Sequence, residues 1–301
     1  MQHQQTIIVF TLAQALYRKW RPQTFEDVVG QDHVTTTLRN QVATGRVGHA
    51  YLFTGSRGCG KTTSARIFAR EINTASLDPS NPQTRRMADA IAEGRSLDII
   101  EIDAASHTSV DDIRELRDKV GFQPSELRYK VYIIDEVHML TKEAFNALLK
   151  TLEEPPDHVI FIMATTEVHK IPQTILSRCQ RFDFRRITTR QITDRLKYIC
   201  EKDGVSATDD ALWLIARQGD GSMRDSQSLL DQVITFANGP LTRENVTEIL
   251  GLTDRALILE TLSALMDRDT SAVLKVLRKF HSAGYEAHLF SQERDPLHRT
   301  I

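Results

Sequence analysis

Short apolar runs alternate with longer segments of helical periodicity over the first two thirds of the chain. Each run is short and mostly apolar, which is typical of strands in a parallel sheet with both faces covered. The segments between the runs place apolar residues three or four positions apart, which predicts amphipathic helices. Predicted strands lie at 50–54, 97–102, 131–136 and 159–164, and predicted helices at 32–43, 62–73, 84–94, 109–120 and 142–153.

The pattern after residue 188 is helical only, apart from a polar, irregular stretch at 291–301. Strands that alternate with helices and then give way to helices predict an α/β domain with a parallel sheet, followed by helical segments. The first of the further predicted helices begins at Thr189 and the second lies at 208–217. The third opens within 220–225 and runs to about 236, and the others lie at 242–250, 255–267 and 271–283. The expected organisation is a tail at 1–12, an α/β domain at 13–188, a small helical domain at 189–252 and a further helical part at 253–301.

Composition places the chain among ordinary globular proteins. It has 301 residues, of which 41% are hydrophobic and 26% are charged, both close to typical values. The formal net charge is −2, so any contact with nucleic acid must come from a local basic patch. The cysteines Cys59, Cys179 and Cys200 are scattered, which excludes a disulfide framework or a spaced metal site and indicates a reducing compartment.

The N-terminus has a weak likeness to a signal peptide. An apolar run at 7–12 precedes Ala13-Gln14-Ala15, but residues 1–5 contain no lysine or arginine and the run is short. We therefore predict a chain that is not secreted. No stretch reaches the length of a transmembrane helix, so we expect no membrane association and a cytoplasmic location.

The sequence GSRGCGKT at 55–62 matches the phosphate-binding loop pattern G-x-x-x-x-G-K-[ST]. A predicted strand precedes it and a predicted helix follows, which disfavours a chance glycine-rich turn. Lys61 is expected to reach the β and γ phosphates, and Thr62 to hold Mg²⁺. The nucleotide-binding residues predicted here are Gly55, Ser56, Arg57, Gly58, Cys59, Gly60, Lys61, Thr62 and Thr63.

Two later strand ends carry further candidate chemistry. Asp135 and Glu136 end one apolar run; Asp135 would hold Mg²⁺, directly or through water, and Glu136 would polarise the attacking water. Such a pair alone is about as often a plain turn, but the upstream loop favours the catalytic interpretation. Thr165 and Thr166 end the next run and could bind the γ-phosphate or its water, or be an ordinary β-branched strand end.

Three other candidates are weaker. The backbone around Val29 could contact an adenine base, or the segment at 16–43, here called the N-terminal block, could simply cover the core. Spacing does not decide between the two. Arg224 lies in the first turn of a predicted helix, against the usual dipole preference, which hints at a functional arginine. The basic residues of 109–120 could contact DNA, although a solvated helix face is the default. Arg178, by itself, would be an ordinary surface residue.

Several motifs together resemble one family. They are LYRKWRP at 16–22, the loop at 55–62, IDAAS at 102–106, DEVHML at 135–140, NALLKTLEEPP at 146–156, ATT at 164–166, Ser-Arg-Cys at 177–179 and GSMRD at 221–225. In this order they resemble the gamma/tau subunits of the bacterial DNA polymerase III clamp loader, which are AAA+ ATPases. The resemblance covers roughly residues 12–290.

The resemblance implies a fold and a set of roles. The fold would be an α/β P-loop AAA+ core with a parallel sheet, a small helical lid and a partial helical collar. Lys61 and Thr62 would bind phosphate and Mg²⁺, Asp135 and Glu136 would serve metal and water, and Thr165 or Thr166 would sense the γ-phosphate. Arg178 would be an arginine finger acting in trans on a neighbouring subunit's ATP, and Arg224 would contact ATP in its own subunit.

The resemblance also implies partners and a reaction cycle. ATP binding would open a sliding clamp and grip primer–template DNA, and hydrolysis would release the clamp around the duplex. The partners would be the other clamp-loader subunits of a hetero-pentamer, the sliding clamp and the DNA, in the bacterial cytoplasm. No metal-carboxylate set of a polymerase is evident, so the chain would not itself join nucleotides.

Two departures from the family pattern change the expectations. The family usually carries a four-cysteine zinc module after the P-loop helix, but 73–98 contains no cysteine, so we predict no zinc. The family also has a full helical collar that holds five subunits in a ring. This chain ends at Ile301, which leaves collar-mediated assembly in doubt.

Two other functions compete with clamp loading as interpretations of the same motifs. One is a different AAA+ DNA-remodelling ATPase, such as a Holliday-junction branch-migration motor; the Ser-Arg-Cys context disfavours it. The other is a scaffold subunit that does not hydrolyse ATP. The intact set of Lys61, Thr62, Asp135, Glu136 and Arg178 disfavours the scaffold.

Overall fold

A computed structural model describes residues 14–106, 116, 118–237, 239–252, 263–264 and 266–282. The chain forms two compact units. The first contains the described residues up to 196 together with 216–228, and the second contains 197–215 and the described residues from 229 onward. The predicted tail at 1–12 and most of the predicted helices at 109–120 and 255–267 lie outside the described residues. The domain boundaries drawn from the sequence remain predictions.

The first unit is built on a parallel sheet of five strands. The strands are β1 Ala50–Thr54, β2 Ile99–Asp103, β3 Lys130–Asp135, β4 Val159–Thr165 and β5 Gln180–Asp183. Their order across the sheet is β2-β3-β4-β1-β5. The four predicted strands are thus confirmed, with ends shifted by at most two residues. The fifth was not predicted because it is a short edge strand with mostly exposed side chains, which leaves no apolar run.

The strand runs are apolar because both faces of the sheet are covered. Successive side chains of a strand point to opposite faces. In β1, Leu52 belongs to one buried cluster, whereas Tyr51 and Phe53 belong to the other. The residues of β3 and β4 divide between the two clusters in the same alternating way. The resulting layers of helix, sheet and helix confirm the predicted α/β architecture.

Two helices of the first unit begin at a side-chain cap. Thr141 caps one helix by accepting a hydrogen bond from the Ala144 amide at 3.2 Å. Asn81 caps another, with Pro82 in its first turn, which moves the start two residues before the predicted one. The helices are α1 Leu16–Lys19, α2 Asp32–Thr44, α3 Lys61–Thr74, α4 Pro82–Ala92, α5 Lys142–Glu153 and α6 Gln173–Leu176.

The remaining helices follow β5 in sequence, and the unit boundaries fall within three of them. They are α7 Thr189–Asp203, α8 Asp209–Gln218, α9 Met223–Phe236, α10 Arg243–Ile249 and α11 Thr270–Ser282. In the second unit, the Thr208 amide donates to the Leu241 carbonyl at 2.9 Å, which joins the start of α8 to the segment before α10. Among the described residues, no helix is long and apolar enough to span a membrane.

A buried carboxylate fixes the loop that leads into β3. Asp98 is 2% exposed and accepts hydrogen bonds from the backbone amides of Ser125, Glu126 and Leu127 at 2.8, 2.8 and 3.0 Å. The hydrogen bonds from these three amides replace those that the carboxylate made to water before it was buried. The loop is therefore tied to the residue that precedes β2.

We expect Asp98→Asn to lower the free energy of unfolding by about 2 kcal/mol, because hydrogen bonds to a charged acceptor are worth roughly 1.5–3 kcal/mol. Asn offers one acceptor oxygen to three donors. Urea unfolding followed by circular dichroism measures the change, and Asp89→Asn, at an exposed position of α4, is the control. Equal stability of the two variants would contradict this role for Asp98.

Candidate nucleotide-binding site

The loop at 55–60 joins β1 to α3 and folds around the side chain of Lys61. The Lys61 ammonium donates to the carbonyls of Gly55 and Ser56, both at 2.8 Å. Ser56 Oγ is buried and has no hydrogen-bond partner among the described residues. A buried hydroxyl without a partner beside a lysine fits a site made for an anionic ligand.

Gly58 brings this loop against the start of α9. The Met223 amide donates to the Gly58 carbonyl at 3.1 Å. Gly58 has φ +71°, and a Cβ atom there would lie 1.9 Å from Ser222 Oγ. Only glycine allows both this backbone conformation and this approach. The contact fixes the helix turn that carries Arg224 beside the loop at 55–60.

Arg224 itself stacks on an aromatic ring. Its guanidinium carbon lies 5.1 Å from the ring centroid of Tyr17, within the range of a cation–π contact. Arg18 donates to the Tyr17 hydroxyl at 3.2 Å and lowers the Tyr17 pKa, to which Arg224 also contributes. The N-terminal block is thus attached to the site through this tyrosine.

Thr62 and Asp135 form the candidate metal site. Thr62 Oγ1 donates to Asp135 Oδ2 at 2.7 Å, and the Glu136 amide donates to Asp135 Oδ1 at 2.9 Å. Among the described residues, no group of three or more His, Cys, Asp or Glu could hold a metal ion. One carboxylate and one hydroxyl suit Mg²⁺, which takes most of its oxygen ligands from water and substrate phosphates. The absence of zinc remains a prediction.

Glu136 is held by the end of the neighbouring strand β4. Its Oε2 atom accepts from Thr166 Oγ1 at 3.0 Å and from the Thr166 amide at 3.3 Å. The Glu136 backbone has φ +46°, an uncommon conformation for a residue with a side chain. Such strain persists where surrounding contacts impose it and is often found at functional sites.

His138 completes this network and was missed in the sequence analysis. The side chain is 6% exposed, with Nδ1 3.3 Å from Glu136 Oε2 and Nε2 3.3 Å from Glu167 Oε1. Nδ1 also lies 3.1 Å from Thr165 Oγ1. The structure therefore places the predicted residues Glu136, Thr165 and Thr166 in one network with His138, and their roles remain predictions. The only sequence signal for His138 was its place two residues after Glu136.

A cavity of about 760 Å³ lies beside the loop within the first unit. Its wall includes the predicted residues Val29, Gly58, Cys59, Gly60, Thr62, Thr63, Asp135 and Arg224. It also includes arginines that the sequence analysis did not select, namely Arg18, Arg21, Arg66 and Arg195. The predicted residues Gly55, Ser56, Arg57, Lys61, Glu136, Thr165 and Thr166 are not part of this wall.

The arginines of the wall differ in their surroundings. Arg21 Nε donates to Thr63 Oγ1 at 3.3 Å, and burial, with the nearby charge of Arg66, lowers the Arg21 pKa. Arg66 forms a two-pronged ion pair with Glu101, with Nε 2.7 Å from Oε2. The wall also carries the carboxylates of Asp27, Glu93, Glu101 and Asp135. Its five arginines therefore leave a small net positive charge, which suits a nucleoside triphosphate that binds together with Mg²⁺.

Gln31 anchors the loop from the other side and was also missed. It is fully buried, and its Nε2 donates to the Cys59 carbonyl at 3.3 Å and the Arg185 carbonyl at 2.7 Å. Its Oε1 accepts from the Arg185 amide at 3.0 Å. Cys59 packs here as an inert thiol, because burial raises its pKa and the thiolate is the reactive form.

Arg178 lies apart from this cavity wall. Its guanidinium forms an ion pair with Glu153 at 2.8 Å and the side chain is 33% exposed. Within the described residues, the hydrogen bonds and the ion pair of Arg178 go to Thr174, Ser177 and Glu153 and to none of the other predicted site residues.

Three family models match consecutive parts of the chain. The model of the DNA polymerase III delta subunit matches residues 30–188. The model of the ATPase lid domain of the DNA polymerase III clamp loader subunit matches 191–239. The model of domain III of the DNA polymerase III subunits gamma and tau matches 241–300.

Curated relatives point to the same proteins. DNA polymerase III subunit tau of Bacillus subtilis is 51% identical over 272 residues, which cover 90% of this chain and 48% of the relative. DNA polymerase III subunit gamma of Buchnera aphidicola is 43% identical over 274 residues, which cover 91% of this chain and 76% of the relative. The chain thus spans about half the length of the tau relative and three quarters of the gamma relative.

Solved structures share the fold at low identity. The Holliday junction branch migration motor RuvB of Thermotoga maritima is 20% identical with a TM-score of 0.59, covering 90% of this chain and 88% of that one. A mutant form of the same protein has a TM-score of 0.60 at 19% identity, and the match covers 91% of this chain and 88% of that one. This likeness concerns the fold, which is an α/β P-loop fold of the AAA+ type.

We expect Gly58→Ala to weaken ATP binding at least ten-fold, because the added methyl group would displace Ser222 and, with it, the turn that carries Arg224. Gly94→Ala is a matched control, since Gly94 has the same φ of +71° and open space around its Cβ position. Both variants lose about 1 kcal/mol of stability to the backbone conformation. Equal ATP affinities by isothermal titration calorimetry would contradict the importance of the contact.

Proposed function

Because this chain belongs to the gamma and tau family of DNA polymerase III subunits, we propose that it binds and hydrolyses ATP in a clamp loader. The free energy of ATP binding and hydrolysis would drive the loading of a sliding clamp onto primed DNA during replication. The observation that carries the ATPase proposal is the arrangement at the carboxyl edge of the sheet. There the loop around Lys61, the Thr62–Asp135 pair and the Glu136–Thr166 pair lie at the ends of adjacent strands.

Phosphate binding would use the loop at 55–60, Lys61 and Thr63. The ammonium of Lys61 already lies at the loop, bonded to the Gly55 and Ser56 carbonyls, and would meet the β and γ phosphates from there. The backbone amides of the loop and the N-terminus of α3 also attract the negative charge of the phosphates. Arg224, placed by the Gly58 contact, would bind the phosphates in its own subunit, and the backbone near Val29 would contact the base.

Thr62 and Asp135 would hold Mg²⁺, either directly or through water. When bound, the ion neutralises charge on the phosphate oxygens. The role of the protein is to present two oxygen donors beside the phosphate-binding loop. Their mutual hydrogen bond of 2.7 Å keeps both oriented toward one point.

Glu136 would polarise the water that attacks the γ-phosphate. Its carboxylate is oriented by Thr166 and by His138, while Thr165 contacts the same histidine. Positioning of this kind supplies much of the catalysis of phosphoryl transfer. Either threonine would also sense whether a γ-phosphate is present.

Arg178 would act in trans, on ATP bound to a neighbouring subunit. Its partly exposed position outside the cavity wall supports this assignment. An inserted arginine stabilises the charge that develops during phosphoryl transfer. The proposed partners are therefore the other clamp-loader subunits of a hetero-pentamer, the sliding clamp and primer–template DNA, in the bacterial cytoplasm.

We expect Glu136→Gln to bind ATP with nearly normal affinity and to lose turnover by roughly two orders of magnitude or more, as for a group needed mainly in the transition state. The amide keeps the shape but does not polarise water. Phosphate release and ATP titration measure the two effects. Glu143→Gln, at an exposed position of α5, controls for loss of charge, and near-normal turnover of Glu136→Gln would remove its proposed role.

ATP turnover in a reconstituted complex, with and without primed DNA and sliding clamp, tests the function as a whole. Stimulation by both is the expected result. Arg178→Ala should leave the ATP affinity of the isolated chain unchanged and slow turnover of the complex by roughly 10³-fold, the typical effect of an arginine finger.

Arg181→Ala is the matched control for this experiment, because Arg181 is exposed on β5 and pairs with Asp183. Mixing Arg178→Ala chains with Glu136→Gln chains should restore part of the activity, since some interfaces then contain both intact groups. If Arg178→Ala has no effect in the complex, the mechanism of hydrolysis in trans is wrong.

A further inference from the structure

The core of the first unit fixes the backbone at Arg178. The Arg178 amide donates to the Ile175 carbonyl at 3.0 Å, and Ile175 is fully buried. On the other side, Cys179 packs against the buried cluster that includes Ile175, and burial raises its thiol pKa to about 12. The residue that follows the arginine is therefore an anchor in the core rather than a reactive group.

The guanidinium is held at three points. Arg178 Nη1 donates to the Thr174 carbonyl at 2.7 Å and to Ser177 Oγ at 3.2 Å. Its Nη2 donates to Glu153 Oε1 at 2.8 Å. An arginine has five N–H donors, so these contacts within the described chain leave two for another partner. With a third of the side chain exposed, the group is ordered and still accessible.

Glu153 is placed unusually for a surface glutamate. It is the last residue of α5 and precedes Glu154 and two prolines. A negative charge at the carboxyl end of a helix opposes the helix dipole. The helix is fixed below it by buried Leu148 and Leu152, so the carboxylate projects from a rigid support. A locally unfavourable residue on a rigid support points to a role beyond the stability of the helix.

We propose that Glu153 is a positioning residue that holds the Arg178 guanidinium ready for a neighbouring subunit. The proposal rests on the function in trans proposed above for Arg178. A flexible arginine must lose rotamer freedom when it enters a neighbouring site, and a planar group that is already oriented loses less. Glu153 fixes that orientation in advance, together with the Thr174 carbonyl and the Ser177 hydroxyl.

Two simpler roles for the ion pair predict different results. An ordinary exposed salt bridge contributes little, so its removal would leave turnover unchanged. A carboxylate that sequesters the arginine would inhibit, so its removal would raise turnover. Positioning predicts a fall in turnover that depends on Arg178 being present.

The test uses the reconstituted complex with Glu153→Ala and Glu153→Gln chains. In the presence of primed DNA and sliding clamp, the kcat for ATP hydrolysis should fall about ten-fold in Glu153→Ala, and KM should stay unchanged. Misplacement of a catalytic group can cost more than this. Glu153→Gln retains a neutral acceptor and should fall less. Glu154→Ala, at the next exposed position, should match the unaltered chain. An unchanged or raised kcat in Glu153→Ala would overturn the proposal.

A double-variant cycle separates positioning from a general structural effect. On an Arg178→Ala background, Glu153→Ala should cause no further loss, whereas a structural defect would lower turnover again and refute positioning. The cycle also separates this proposal from the one on which it rests. If Arg178→Ala does not change ATP turnover of the complex, the proposed function of Arg178 in trans is wrong. If Arg178→Ala lowers turnover and Glu153→Ala does not, only the positioning role of Glu153 is wrong.

Discussion

The parallel register of the central strands is the constraint on which the candidate site depends. Thr54 pairs with Thr165, and Ile134 pairs with Met163, so β1, β3 and β4 end at the same edge. Because the faces of this sheet are covered by helices, that edge is where side chains can reach a ligand. The register therefore brings residues far apart in sequence to one edge without any further device.

The loop at 55–60 is held from two directions at this edge. Gln31 binds the Cys59 carbonyl and the backbone at Arg185, and the Met223 amide binds the Gly58 carbonyl. A loop with both attachments has few ways to relax, which suits the precise approach of backbone amides to phosphate. The same attachments connect the loop with the segment after β5 and the start of α9.

The sequence alone was enough to predict the features that depend on a local pattern of residues. Buried strands show as apolar runs, and the loop at 55–62 has a fixed spacing. It was insufficient where a role depends on a distant partner. Gln31 acts through Arg185, 154 positions away, and β5 is a strand because β1 lies beside it. A polar residue with a remote partner has no periodicity to reveal it, and the role of His138 became visible only through its contacts.

Arg178 shows why fold and function need separate arguments here. The likeness to a branch migration motor at 20% identity concerns the fold, which alone does not determine function. The relatives at 43% and 51% identity concern the family. The role proposed for Arg178 in trans would give an accessible arginine a reason to lie outside the cavity wall of its own chain. Hydrolysis would then require an adjoining subunit, so turnover would be coupled to assembly through the geometry of one side chain.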